Sequence, residues 1–211
     1  MTTTSFTDVI TTESELREVF GWPSERATNK QIDRLDQHCR AIINKSPFLL
    51  LGTSAPSGRC DVSPKGDYPG FVRVLDDRTL AIPDLPGNNR LDTLTNILTN
   101  PQVGLIFMIP GMNETLRVNG KVRLVRDADL LESMAFKGKL PKLAIVVDVE
   151  EVFTHCPKAF LRSKLWSEES RIDRSELPSF AEILRDHVGI AECDVEELQR
   201  ELDHKAATTL H

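Results

Sequence analysis

Tyrosine is nearly missing from this 211-residue chain, which carries one, together with two tryptophans and four cysteines. Cys39, Cys60, Cys156 and Cys193 are scattered and form no C-x-x-C pair, so neither a disulfide framework nor a zinc site is expected. His38 beside Cys39 and His155 beside Cys156 chelate poorly, because chain neighbours point apart on both strands and helices; no metal is predicted. His187, His204 and His211 fall in a polar region and are expected to be solvated. No apolar run approaches the roughly 20 residues that span a bilayer. Met1-Thr2-Thr3-Thr4-Ser5 has neither the cationic start nor the apolar stretch of a secretory signal, so a cytoplasmic protein without membrane contact is expected. Gly-x-Gly-x-x-Gly and Gly-x-x-x-x-Gly-Lys-Ser/Thr are both absent, which argues against a Rossmann dehydrogenase and a P-loop hydrolase. No basic stripe interrupts a net charge of −6, and an acidic protein of that kind is repelled by a phosphate backbone; no nucleic-acid partner is expected.

What is present is an ordered series of short periodic segments. Thr12-Glu13-Ser14-Glu15 reads as a capping box opening a short helix before Gly21-Trp22-Pro23. Ile32, Leu35, Cys39, Ile42 and Ile43 recur at helical spacing and predict an amphipathic helix over about 29–44. The period then changes. Runs at 48–53, 59–63, 70–75 and 79–82 are β-branched or apolar and are separated by turn clusters. A helix is predicted over about 90–99, strands at 103–109 and 115–125, a helix N-capped by Asp127, and a buried strand at 143–153. Beyond about 167 the chain is polar, with a weaker helix opening at Asp194. Many short strands with too few helices for repeated βαβ units predict a β-dominated α+β protein built on an antiparallel barrel.

Three segments carry chemistry. In Leu85-Pro86-Gly87-Asn88-Asn89-Arg90 a glycine turn feeds a predicted helix start, where backbone N–H groups, two amides and a guanidinium suit an anion. The plainer reading makes Asn88 or Asn89 a helix cap and Arg90 a surface residue. Ser63 and Lys65, at a strand end opening into a turn, suit phosphate or a cofactor edge, and turn chemistry explains them equally well. In the third, Pro157 suits the first position of a helix on which Lys158, Arg162 and Trp166 share one face; that face suits an anionic aromatic ligand, or is simply a solvated basic helix.

Taken together, Ser63-Pro64-Lys65-Gly66-Asp67, Gly70-Phe71-Val72, Ile82-Pro83-Asp84, Gly87-Asn88-Asn89-Arg90, Asn100-Pro101, Thr115-Leu116-Arg117-Val118-Asn119-Gly120 and Cys156-Pro157-Lys158-Ala159 resemble the FMN-binding split barrels of the pyridoxamine 5′-phosphate oxidase superfamily, specifically a bacterial FMN-dependent branch. The resemblance covers about 47–166, with 1–46 as a helical segment packing on the barrel and 167–211 as a helical appendage. It implies a six-stranded antiparallel split β-barrel and a homodimer with FMN held at the subunit interface. On that reading Asn88, Asn89 and Arg90 take the FMN phosphate with Ser63 and Lys65, while Val72, Arg73, Pro83 and Asp84 flank the ring. Thr115 and Arg117 share a strand face, and Arg117 is the charge best suited to the anionic edge of a reduced flavin. Lys158 and Trp166 complete the set. Where the vitamin B6 oxidases carry a Ser-Arg-Lys type sequence, this chain has Asn88-Asn89-Arg90. The implied function is an FMN-dependent oxidoreductase acting on a small redox substrate, with no protein nucleophile needed; the alternative is a flavin store or redox sensor without turnover. A barrel without a cofactor is the plainest remaining reading.

Overall fold

A computed structural model of the chain describes residues 4–190 and 192–210; His211 lies outside them. The chain divides into two compact units, Met1–Ile32 and Asp33–His211. The first holds helices α1 (Glu13–Phe20) and α2 (Glu25–Asn29). The capping box is present: the Thr12 hydroxyl accepts from the Glu15 N–H at 3.3 Å, and the Glu15 carboxylate accepts from the Thr12 N–H at 3.0 Å. The continuous helix expected over 29–44 is corrected. Helix α3 begins only at Gln37 and runs to Lys45, because the Asp36 carboxylate accepts from the N–H groups of His38 (2.9 Å) and Cys39 (2.8 Å). A capping carboxylate satisfies two orphan donors, and that local gain overrides the apolar period running through Leu35.

The second unit is built on one antiparallel sheet. Its strands are β1 (Phe48–Ser54), β2 (Cys60–Gly66), β3 (Arg73–Val74), β4 (Thr79–Pro83), β5 (Gln102–Met108), β6 (Thr115–Val125) and β7 (Ala144–His155), in the order β2-β1-β5-β6-β7-β4-β3. The expected six-stranded barrel is corrected on two counts: there are seven strands, and no ladder joins the edges among the described residues. The extra strand is the two-residue β3, the remnant of the strand expected over 70–75. Gly70 has φ +88° and the Phe71 N–H bonds back to the Tyr68 carbonyl at 3.1 Å, so a turn occupies its first half. Yet the sheet curls far enough for side chains to span the split: Lys65 Nζ on β2 lies 3.3 Å from the carboxylate of Asp84, which follows β4, although four strands separate β2 from β4.

Period-two alternation fills the interior. Leu49 and Leu51 of β1, Leu105 and Phe107 of β5, and Leu116 and Val118 of β6 are buried on one face. Strand β7 opens with four consecutive buried residues, Ala144 to Val147, as its dense apolar run predicts. Helix α5 (Ala128–Ser133) closes one side, where Met134 packs with Ala81, Ala144 and Val146. A bulge shifts the β6–β7 register at Asn119/Gly120. Only glycine fits there, since a Cβ on Gly120 would sit 2.1 Å from the Asp148 carbonyl oxygen.

Helix α4 (Asp92–Thr99) packs against β1, β2 and β6 and is pinned by polar bonds. Asn96 donates to the Thr53 hydroxyl at 3.1 Å, and the Thr93 hydroxyl donates to the Asp61 carboxylate at 2.8 Å. The chain then continues through α6 (Lys158–Ser163) to α7 (Phe180–Val188) and α8 (Val195–Thr208). α8 opens at Asp194 as expected. The sequence reading missed α7, which starts in a Ser179/Glu182 capping box. No helix among the described residues is long and apolar enough to cross a membrane.

Candidate functional site

Alternation along β2 puts Asp61, Ser63 and Lys65 on one face, the partly covered one. That face forms one wall of a cleft of about 1190 Å³. The connection from β4 to α4 makes a second wall, and the connection from α5 to β7 a third. Six of the residues singled out in the sequence meet here: Ser63, Lys65, Asp84, Asn88, Asn89 and Arg90. The cleft exceeds the roughly 300–1,000 Å³ of ordinary ligand pockets. Its apolar lining, from Leu85, Leu91, Phe136 and Leu140, suits a flat organic ring, and its polar groups come from all three walls, with Lys139 and Lys142 on the third.

The anion corner differs from expectation in detail. The helix begins at Asp92 rather than Arg90, and neither asparagine caps it. Leu91 stands at the cap position in left-handed conformation (φ 61°) with no side-chain bond to the helix. Asn88 instead accepts from the Arg90 N–H at 3.0 Å, and Asn89 is left-handed at φ 58°. Such an Asx turn engages the side-chain oxygen of Asn88, the acceptor end of its amide. Arg90 donates from Nε to the Asp92 carboxylate at 2.8 Å, and Arg59 lies 3.7 Å from the same carboxylate. The hydrogen bond from Arg90 holds the Asp92 carboxyl below the usual carboxylate range, and reciprocally raises the Arg90 guanidinium. An acid in the first turn already complements the helix dipole, so a bound anion would share Arg90 with Asp92. This pair is exposed and worth little by itself. The Lys65–Asp84 pair is different: both side chains are more than four-fifths covered (18% and 19% exposed).

The remaining predicted residues lie outside this cleft. Val72 is buried at 1% exposure; Arg73 on β3 donates to the Ser133 carbonyl at 3.1 Å; Pro83 ends β4 opposite Ala144. Thr115 is buried opposite His155, while Arg117 donates to Asn119 at 3.2 Å and lies over the Phe153 ring at 5.2 Å. Lys158 is exposed on α6. The shared face of Lys158, Arg162 and Trp166 is corrected: α6 stops at Ser163 and Lys164 turns left-handed (φ 52°), so Trp166 leaves the helix. Its indole stacks on Phe160 at 5.6 Å and donates to the Met112 carbonyl at 2.9 Å.

The sequence reading missed the third wall, from Met134 to Leu143. Its one sequence signal is Lys137-Gly138, a two-residue turn with positive φ at both positions (49° and 79°) closing a Phe136–Lys139 bridge. Phe136 stacks on Tyr68 at 5.0 Å, the chain's single tyrosine. No cluster of three or more metal-ligating side chains occurs among the described residues.

No curated protein matches the chain. Solved structures similar to this chain include HupZ of Group A Streptococcus, 20% identical, covering 56% of this chain and 92% of that one at a TM-score of 0.47. A putative pyridoxamine 5′-phosphate oxidase from Lactobacillus delbrueckii is 21% identical, covering 58% and 95% at 0.47. An FMN-binding protein from Syntrophomonas wolfei is 10% identical, covering 68% and 97% at 0.43. The family model described as pyridoxamine 5′-phosphate oxidase matches residues 35–156, more than half of the chain and every strand of the sheet. The chain therefore belongs to the pyridoxamine 5′-phosphate oxidase family.

Proposed function

We propose that this protein binds FMN in the cleft between β2, the β4–α4 connection and the α5–β7 connection, and that it is an FMN-dependent oxidoreductase of the cytoplasm. The observation that carries the reading is the convergence of Ser63, Lys65, Asn88, Asn89 and Arg90, a hydroxyl, two amides and two cations, beside an apolar lining. The donor set fits a phosphate ester and the apolar walls fit the ring. The flavin, when bound, supplies the electron transfer. The chain's own residues bind and orient it: Asn88 and Asn89 offer amide N–H donors to the phosphate, Arg90 shares its guanidinium between that phosphate and Asp92, and Phe136 shields the ring from water. Arg117 stands outside the cleft of its own chain, and we assign it to the flavin of a second copy across a homodimer interface. A flavin store without turnover is the competing reading; the engagement of Trp166 with Phe160 and Met112, away from the cleft, favours an open ring face and hence the enzyme. The test is the visible spectrum of the purified protein, before and after incubation with FMN. A yellow protein is expected, with at least about tenfold weaker FMN retention in Arg90→Ala and Asn89→Ala. A colourless protein after incubation, or equal retention in both variants, would refute it.

A further inference from the structure

The Lys65–Asp84 pair is the least exposed ion pair of the cleft, and it lies across the split between the edges of the sheet. Two features make it more than a stitch. Lys65 projects from the same face of β2 as Ser63 and lines the same cleft as the Asn88 turn. Asp84 is anchored through its backbone, whose N–H donates to the Leu143 carbonyl at 3.0 Å just before β7 begins. In a cleft whose other donors suit an anion, the ammonium is thus already occupied by a carboxylate of the chain itself.

We infer that Asp84 is a specificity-determining residue: an intramolecular competitor that an incoming anion must displace from Lys65. This deepens the flavin reading by naming the chemistry of the group the corner accepts. A monoanionic ligand exchanges one unit of negative charge for another at Lys65 and gains almost nothing. A phosphate monoester, carrying about −1.5 to −2 near neutral pH with three acceptor oxygens, outcompetes the carboxylate and reaches the amides as well. The corner therefore admits a phosphate monoester and leaves carboxylates and other monoanions out. Asp84 acts through Lys65, so removing each partner has opposite consequences. Without Asp84 the ammonium is free and every anion binds more tightly; without Lys65 the acid remains and every anion binds more weakly.

The test is calorimetric titration of the purified protein with inorganic phosphate and, separately, with acetate, for the natural chain, Asp84→Asn, Asp84→Glu and Lys65→Met. The natural chain is expected to bind phosphate and to show no acetate binding. Asp84→Asn should tighten phosphate about tenfold, corresponding to about 1.4 kcal/mol, and acquire acetate binding. Asp84→Glu should restore exclusion of acetate, and Lys65→Met should lose phosphate. A purely structural pair would weaken binding in both Asp84→Asn and Lys65→Met, and a misfolded variant cannot bind more tightly, so the sign of the Asp84→Asn effect decides. Weaker or unchanged phosphate binding in that variant, acetate binding by the natural chain, or no phosphate binding at all overturns the inference. Flavin retention, read from visible absorbance on the same samples, reports separately on the cofactor assignment.

Discussion

Replacing Asn96 with leucine tests how α4, and with it the anion corner, is held to the sheet. Asn96 is 4% exposed and donates to the hydroxyl of Thr53, itself 6% exposed on β1, at 3.1 Å. Leucine keeps most of the volume but removes the donor, leaving a buried hydroxyl without its partner. The net bond is worth about 1 kcal/mol and an orphaned buried polar group costs about 1–3 kcal/mol. Asn96→Leu is therefore expected to destabilise by about 2 kcal/mol, roughly a 30-fold fall in the folded-to-unfolded ratio. Thr53→Val orphans the amide and should cost a similar amount. With both partners apolar the penalty disappears, so the double variant should be less destabilised than the sum of the single variants by about 1–2 kcal/mol. Urea unfolding followed by far-ultraviolet circular dichroism measures all four chains, with unchanged slope against denaturant. Additive single effects, or a loss below about 0.5 kcal/mol for Asn96→Leu, would refute the claim that this bond anchors the helix.

Thiol reactivity should divide the cysteines by environment. Burial, reinforced by its hydrogen bond to Asp36, pushes the Cys39 thiol up to about 11 from an ordinary value of 9.0, whereas Cys60 and Cys156 are exposed. At pH 8 about one Cys39 thiol in a thousand is ionised, so mass spectrometry after iodoacetamide pulses should find Cys60 and Cys156 modified first and Cys39 last; early labelling of Cys39 would contradict its burial. Gly120→Ala drives a Cβ to 2.1 Å from a carbonyl oxygen, while Gly87→Ala meets nothing within 4 Å. The first should lose about 3 kcal/mol or more, lowering Tm by roughly 6–12 °C in calorimetry, and the second should be close to neutral.

Much of this architecture was legible locally. The capping box of Thr12, the end of α3 before Pro47, the full extent of β6 and the cap of α8 are set by neighbours a few residues apart, and short-range chemistry is printed in the order of residues. The turn at Asn88-Asn89-Arg90 was legible as a cluster of donors for the same reason. Two local signals cut against the apolar spacing: the Asp36 cap cut a helix that this spacing alone would have continued, and a left-handed Lys164 sent Trp166 off the face it was expected to share. Tertiary structure decided the rest. The third wall of the cleft, from Met134 to Leu143, is brought opposite β2 only because the sheet curls round, and the Lys65–Asp84 contact joins residues 19 apart in the chain for that same reason. Curl arises from the accumulated twist of paired strands. That sum over the whole sheet is a property no single segment carries, so the sequence determined which groups were available and the fold decided which of them met.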